Sequence, residues 1–466
     1  MGAGSDLIME GVRNRPSIGL PHGPGGRTIP RVDTPHPAPG FGEALRFWWK
    51  LGWISFGGPA GQIAIMHREI IERRRWMGED HFLHALNFCM MLPGPEAQQL
   101  ATYLGWRLHG ARGGIAAGVL FVLPSVFILF GLSWLYMAGG DIVWVRGIFH
   151  GLMPAVVAIV FSALKRIGSR VLKSPGLWLV ATLAFVAIFA FKISFVFIIL
   201  AAALVGLLGA RRFPEQFPAT GGHGKSGSRE EPSVALPSAP RQDAWRVVRV
   251  SAICLALWWL PVLAAGCLLG WKGIHFQQGL FFSKAALVTF GGAYAVLPYV
   301  SQMAVEHYGW LGQGQMMAGL GLAETTPGPL IMVLQFVGFV AAWQHPGDLT
   351  PLAAGALGAL ITTWVTFLPC FLFVFLGAPH VEGLKDRPAL ASALTAVTAA
   401  VVGVILNLAI WFTWHALRPG TGGFDVFVAV VAPAAWLAME RFKLGVIPTL
   451  GACAAAGLLW RLVAQG

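Results

Sequence analysis

Apolar residues run along this chain in blocks too long for the core of a soluble domain. The blocks cover about 44–66, 82–106, 114–138, 142–164, 176–191, 193–210, 247–270, 278–302, 315–342, 352–376, 389–415, 424–440 and 444–463. A helix that crosses a bilayer needs ~20 predominantly apolar residues, so the pattern predicts about thirteen crossings. The pairs 176–210 and 424–463 are the shortest and fix the count least well. Two polar stretches interrupt the blocks. Residues 1–40 are rich in Pro and Gly, carry Arg13, Arg15, Arg27 and Arg31, and have no apolar run close behind them of the secretory-signal kind. They predict a disordered tail on the cytoplasmic side. Residues 211–246 mix Pro, Gly, Ser and charge and predict a solvated cytoplasmic linker.

A shift of 234 positions aligns two stretches without a gap. Lys50 meets Lys284, Phe56-Gly57-Gly58 meets Phe290-Gly291-Gly292, and Glu72 meets Glu306. Trp76 meets Trp310, Gly78 meets Gly312, Leu86 meets Leu320, and Pro93-Gly94-Pro95 meets Pro327-Gly328-Pro329. Those eleven identities fall within 46 positions, too many for biased composition alone. Weaker matches follow, with Leu123-Pro124 resembling Leu368-Pro369 and Phe191-Lys192-Ile193 resembling Phe442-Lys443-Leu444. The expected fold is an all-α polytopic membrane protein with two homologous repeats of about six helices each, broken at the Gly-Gly and Pro-Gly-Pro motifs. Its expected parts are the tail (1–40), an N-terminal repeat (41–210), the linker (211–246), a connecting helix (247–270) and a C-terminal repeat (271–466). The connecting helix is one added crossing, which inverts the second repeat relative to the first.

Basic residues mostly agree with that plan under the positive-inside rule. With the N-terminus inside, inner loops hold Arg107, Arg112, Lys165, Arg166, Arg170, Lys173, Arg211 and Arg212, then Lys385, Arg387, Arg441 and Lys443. Arg68, Arg73, Arg74 and Arg75 dissent if 44–66 crosses fully, and fit if that segment is re-entrant at its glycines. Composition adds that 56% of residues are hydrophobic and only 12% charged, about half the charge of a soluble domain. The net charge of +12 therefore reads as loop orientation rather than nucleic-acid binding. Cys89, Cys254, Cys267, Cys370 and Cys453 sit in apolar runs with no C-x-x-C pair, so neither disulfide nor metal site is expected. His81-x-x-His84 with Glu79 and Asp80 lacks cysteine support and a repeat partner, and no Walker loop, nucleophile triad or cofactor motif is present. An enzyme is not expected.

Candidate chemistry lies at the helix breaks. Gly57-Gly58-Pro59 and Gly291-Gly292 interrupt apolar helices in matching places, and broken backbone at membrane depth survives where it is buried in protein or lines a wet cavity. A helix starting at such a break turns free N–H groups inward, which suits an anion. Close helix packing through small residues is the plainer alternative. Pro93-Gly94-Pro95 and Pro327-Gly328-Pro329 likewise end one helix and start another. Gln62, Gln98, Gln99, Thr325 and Thr326 add neutral polar groups nearby. Lys50 and Lys284, each seven residues before its Gly-Gly, either supply positive charge or snorkel to the interface. Glu96 and Glu324 flank the two Pro-Gly-Pro turns and are candidates for proton coupling or for capping a broken helix.

At these residues the sequence resembles a known family. FGGPAGQIAIMHREIIERRRWMGEDHF followed by MLPGPEAQQLATYLGWRLHG is similar to the N-terminal half of the chromate transporter (CHR) family, and TFGGAYAVLPYV followed by TTPGPLIMVLQFVGF to its C-terminal half. The resemblance covers about 41–465 and implies the long, two-domain form: a multi-pass carrier of the bacterial inner membrane that exports chromate and confers chromate resistance. It carries over to the Gly-Gly and Pro-Gly-Pro positions, with Glu96 and Gln98. The second copy has Leu330 where the first has Glu96, so a symmetric role for that carboxylate is not implied. A carrier of sulfate-like oxyanions, with sulfate as competitor, is the alternative substrate reading, and a membrane-embedded enzyme the alternative class. Transport direction, coupling ion and homo-oligomer formation are left open by the residues.

Overall fold

The computed structural model describes residues 39–140, 142–218, 244–379, 388–419 and 423–464. The predicted tail and most of the predicted linker, and the loop charges Lys385 and Arg387, lie outside them. The described residues form α-helices with short π and 3-10 turns. In chain order these are α1 (Phe41–Ile54), α2 (Gly58–His67) with a π turn (Arg68–Arg73), α3 (Glu79–Met91), α4 (Glu96–Ala138), α5 (Val143–Val171), α6 (Pro175–Phe189) and α7 (Phe195–Arg212). After α8 (Ala244–Leu269) come α9 (Ile274–Leu287), α10 (Ala293–Ser301) with a π turn (Gln302–His307), α11 (Gln313–Thr325) and a 3-10 turn (Leu330–Met332) entering α12 (Val333–Gln344). The chain ends with α13 (Pro351–Gly377), α14 (Pro388–Leu417), α15 (Val426–Arg441) and α16 (Val446–Ala464). Both π turns, and α3 with α11, begin 234 residues apart.

Among the described residues, seven helices are long and apolar enough to cross a membrane, which makes this a multi-pass membrane protein. Large side chains such as Leu179, Leu183, Leu200 and Leu204 stand exposed along α6 and α7, where hydrocarbon rather than water is their natural solvent. Just after α7, at the opening of the predicted linker, residues 213–215 are exposed but the chain is anchored at Phe217. Phe217 is buried against Gly209, and its carbonyl accepts from Ser392 Oγ of α14 at 2.8 Å.

Four of the apolar blocks fold back rather than cross, which corrects the reading of 44–66, 82–106, 278–302 and 315–342 as spans. After α1 runs inward to Ile54, the chain breaks at Gly57–Gly58 and returns along α2. Arg74, beyond α2, ion-pairs with Glu43 at the start of α1 at 3.2 Å and lies over the Phe47 ring at 5.0 Å. Phe47 also meets Trp76, with ring centroids 5.1 Å apart. The second copy repeats the contact 234 positions on, as Phe281 meets Trp310 at 5.5 Å. α4 has non-helical backbone at His109 (φ −137°) and Gly110 (φ 62°) and doubles back there. Its first limb (96–108) and second limb (111–138) are antiparallel: Gly105 packs on Gly113 and Ala117, Thr102 on Gly118. The His109 ring reaches the Pro39 carbonyl at 2.8 Å, beside the start of α1. In the second copy, α12 and α13 pack in the same antiparallel way through Gly338 and Gly358. The loop carrying Arg68, Arg73, Arg74 and Arg75 is therefore on the same side as the start of α1, as a re-entrant segment requires.

The remaining helices pack by exchange. α5 of the first copy packs on α15 and α16 of the second, and α14 of the second packs on α6 and α7 of the first. Small residues allow the close approach: Gly147 and Gly151 face Gly457, Gly206 faces Ala393, and Gly403 faces Ala181. His150 of α5 also pairs with Asp425, the N-cap of α15, at 2.7 Å.

Candidate functional site

Each fold-back ends in a tip, and the tips meet crosswise. Gly94 N–H, in the first Pro-Gly-Pro, donates to the carbonyl of Thr289, just before the second Gly-Gly, at 2.7 Å. Gly328 N–H, in the second Pro-Gly-Pro, donates to the carbonyl of Ser55, just before the first Gly-Gly, at 2.7 Å. Thr289 and Ser55 occupy equivalent places in the repeat, as do Gly94 and Gly328. The two copies thus clasp each other through a matched pair of backbone hydrogen bonds.

Local sequence builds the clasp. Gly94 has φ 126° and Gly328 φ 103°, which an L side chain adopts only with strain. Space is closed as well: a Cβ on Gly94 would lie 2.7 Å from Cys370 Sγ, and one on Gly328 would collide with Ser125 Oγ. Ser125 and Cys370 each follow the matched Leu-Pro of the helix behind the turn. Ser125 Oγ–H donates to the Pro327 carbonyl. These two residues, with Ser55 and Thr289, carried no sequence signal beyond lying beside a motif.

Four helices begin at the tips: α2 after Gly57, α4 after Pro95, α10 after Gly292, and the 3-10 turn entering α12 after Pro329. None has a side-chain cap. Their first N–H groups are the donors such starts leave over.

The predicted polar residues divide. Gln62 is fully buried; its amide donates to the Gly328 carbonyl and, at 3.3 Å, to the Ser55 carbonyl, while Oε1 has no partner among the described residues. Gln99 donates to the Pro93 carbonyl at 2.7 Å and Gln98 to Thr102 Oγ1 at 3.1 Å. Thr325 and Thr326 both spend their hydroxyl protons on the Leu322 carbonyl at 2.8 Å, leaving no donor for an anion. Glu96 Oε1 stands 3.7 Å from where a Cβ on Gly292 would sit, so the first-copy carboxylate lies against the second-copy break. Glu324 is buried and accepts a hydrogen bond from Tyr294 O–H. Lys50 and Lys284 lie on exposed faces of α1 and α9, and no hydrogen bond or ion pair among the described residues ties either to the clasp.

A cavity of about 350 Å³ opens beside the far end of α10, between α6 and α14. Its polar lining is Lys192, Ser301, Gln302, Glu306, Asn407 and His415.

The sequence profile described as "Chromate transporter" matches residues 42–207 and 276–458, the two stretches that fold back and clasp. The chain belongs to the chromate transporter family. A chromate transport protein of Pseudomonas aeruginosa is 32% identical over 423 residues, covering 88% of this chain and 90% of that protein. One from Cupriavidus metallidurans is 30% identical over 369 residues, covering 79% and 81%. A probable chromate transport protein of Synechococcus elongatus is 30% identical over 371 residues, covering 79% and 84%. No solved structure matches this family member. As a member of a transporter family, it is a carrier rather than an enzyme.

Proposed function

We propose that the protein exports chromate across the bacterial inner membrane by alternating access, binding the oxyanion where the four tips meet. The observation that carries this reading is the reciprocal clasp, Gly94 to Thr289 and Gly328 to Ser55, which gathers uncapped helix starts from both copies at one place. Chromate is a tetrahedral dianion, and preorganised N–H groups can replace its hydration in the way helix starts hold phosphate and sulfate. Relatives named as chromate transport proteins support that substrate.

The topology we infer has the tips at membrane depth and the four fold-backs returning to the side they entered from. Each copy then crosses with four helices: the second limb of α4, α5, α6 and α7 in the first, α13 to α16 in the second. α8 adds the odd crossing that inverts the second copy. α6 and α15, at 15 and 16 residues, are short for ~30 Å of hydrocarbon and rely on flanking residues or local thinning. The cavity beside α10 is then an outer mouth. Glu96 and Glu324, the carboxylates nearest the second break, are our candidates for proton coupling.

The test is uptake of radiolabelled chromate into inverted membrane vesicles, with and without a proton gradient and with sulfate as competitor. Export predicts accumulation above that of vesicles lacking the protein. No accumulation overturns the reading. Sulfate has the same shape and charge, so full competition at equal concentration would make this a general carrier of tetrahedral dianions.

A further inference from the structure

The two contacts of the clasp match along the backbone and differ in what side chains add to them. At the second Pro-Gly-Pro, the partners all come from the first copy. Gly328 N–H donates to the Ser55 carbonyl at 2.7 Å, the Gln62 amide donates to the Gly328 carbonyl, and the Ser125 hydroxyl donates to the Pro327 carbonyl. Gln62 also reaches the Ser55 carbonyl at 3.3 Å, so one amide braces both sides of the contact. Ser55, Gln62 and Ser125 are all fully buried. At the first Pro-Gly-Pro, Gly94 N–H donates to the Thr289 carbonyl at 2.7 Å. Among the described residues no other hydrogen bond joins the copies at this turn. The Pro93 carbonyl takes the Gln99 amide of its own copy at 2.7 Å. Val296 stands where Gln62 stands, and cannot donate. Cys370 stands where Ser125 stands, and turns its thiol to the Thr366 carbonyl of its own helix at 3.8 Å.

We propose that this asymmetry makes the clasp a hinge: the second Pro-Gly-Pro, pinned by Gln62 and Ser125, is the pivot on which the copies turn, and the Gly94–Thr289 contact is the gate that parts during alternating access. Gln62 and Ser125 are then positioning residues rather than ligands of the oxyanion. This deepens the transport reading above and rests on it. Parting a buried contact leaves its donors and acceptors unpaired, so a side held by one hydrogen bond opens before a side held by three. What lies at the gate fits that task. The uncapped start of α4 is at Glu96, two residues beyond Gly94, and Glu96 Oε1 stands 3.7 Å from where a Cβ on Gly292 would sit. Moving Gly94 away from Thr289 therefore moves a carboxylate and a helix start away from the second break. The same movement uncovers Cys370, which is buried with its Sγ 2.7 Å from the Cβ position of Gly94.

The experiment copies the braces of the pivot onto the gate, in the full chain reconstituted in proteoliposomes. Chromate transport is measured over a concentration series and normalised to inserted protein. Cys370→Ser puts a hydroxyl behind the Gly94 turn, and Val296→Gln adds an amide at the second break. Together they should lower the maximal rate about tenfold, with KM within about twofold of wild type and a melting temperature no lower. Cys370→Ser alone should lower the rate about threefold. A merely structural role for these positions predicts no loss of rate without loss of stability. Independently, a small membrane-permeant thiol reagent, its site of attachment mapped on peptides, should modify Cys370 faster during chromate turnover than at rest. A cysteine at the equivalent place on the pivot, in Ser125→Cys, should show no such acceleration. An unchanged maximal rate in the double variant overturns the proposal, as does turnover that accelerates modification equally at both positions or not at all at Cys370. If the double variant fails to insert, the modification rates decide alone. A wild-type protein that moves no chromate would instead overturn the transport reading, so the two failures are distinct.

Discussion

Gly94 and Gly328 each combine a left-handed backbone with a side of the residue closed by Cys370 or Ser125. Backbone strain of this kind costs about 1–3 kcal/mol when a side chain is forced into it, before any clash is counted. Gly94→Ala and Gly328→Ala should each lower the unfolding temperature of detergent-solubilised protein and abolish chromate transport. Gly110→Ala is strained in the same sense but faces open space, and should keep transport. A Gly328→Ala variant with wild-type melting and transport would remove the clasp from the mechanism. The two repeat lysines behave differently. Lys50 shares its exposed face with Trp49 and Trp53, the setting of a side chain anchored near an interface. We therefore expect Lys50→Gln and Lys284→Gln to lower the amount of inserted protein at most, with KM for chromate unchanged. A raised KM in both would return them to the binding site.

At the scale of elements, the fold-backs are the distinctive units. Glu43 and Arg74 belong to opposite limbs of the first one and touch at 3.2 Å, although 31 residues separate them. Single cysteines at these positions should both be labelled from the same side of the membrane by an impermeant thiol reagent. Labelling from opposite sides would restore a full crossing for 44–66. The breaks themselves were legible in the sequence, because Gly-Gly and Pro-Gly-Pro act locally and stop a helix wherever they fall. The return path was not. Hydropathy records that a segment lies at membrane depth and carries no sign of direction. What turns the chain back is Phe47 on Trp76 and Arg74 on Glu43, contacts between residues far apart in sequence.

For the whole molecule, the topology we propose, with four crossings in each copy plus α8, places an odd number of crossings between the N- and C-termini. Reporter fusions at His223 and after Gly466 should give opposite sides of the membrane, and a fusion at the N-terminus should agree with the one at His223. The same side for His223 and the C-terminus would end the inverted arrangement. The repeat was legible because the aligned motifs keep their spacing over 46 positions. The exchange of helices between copies was not, because α6, α7, α15 and α16 retain too little matched sequence to show which partner each one meets.

That exchange sets the order in which the molecule can be completed. A ribosome delivers α5 long before α15 and α16, the helices that cover its Gly147 and Gly151 face. During that interval the face must rest against lipid or a chaperone, with His150 waiting for Asp425. The first copy cannot reach its final packing while the second is unmade, so insertion proceeds helix by helix but maturation comes as a single late event. α16, made about 275 residues after α5 has emerged, is the helix that closes it, so a late segment of the chain decides when an early one is finished.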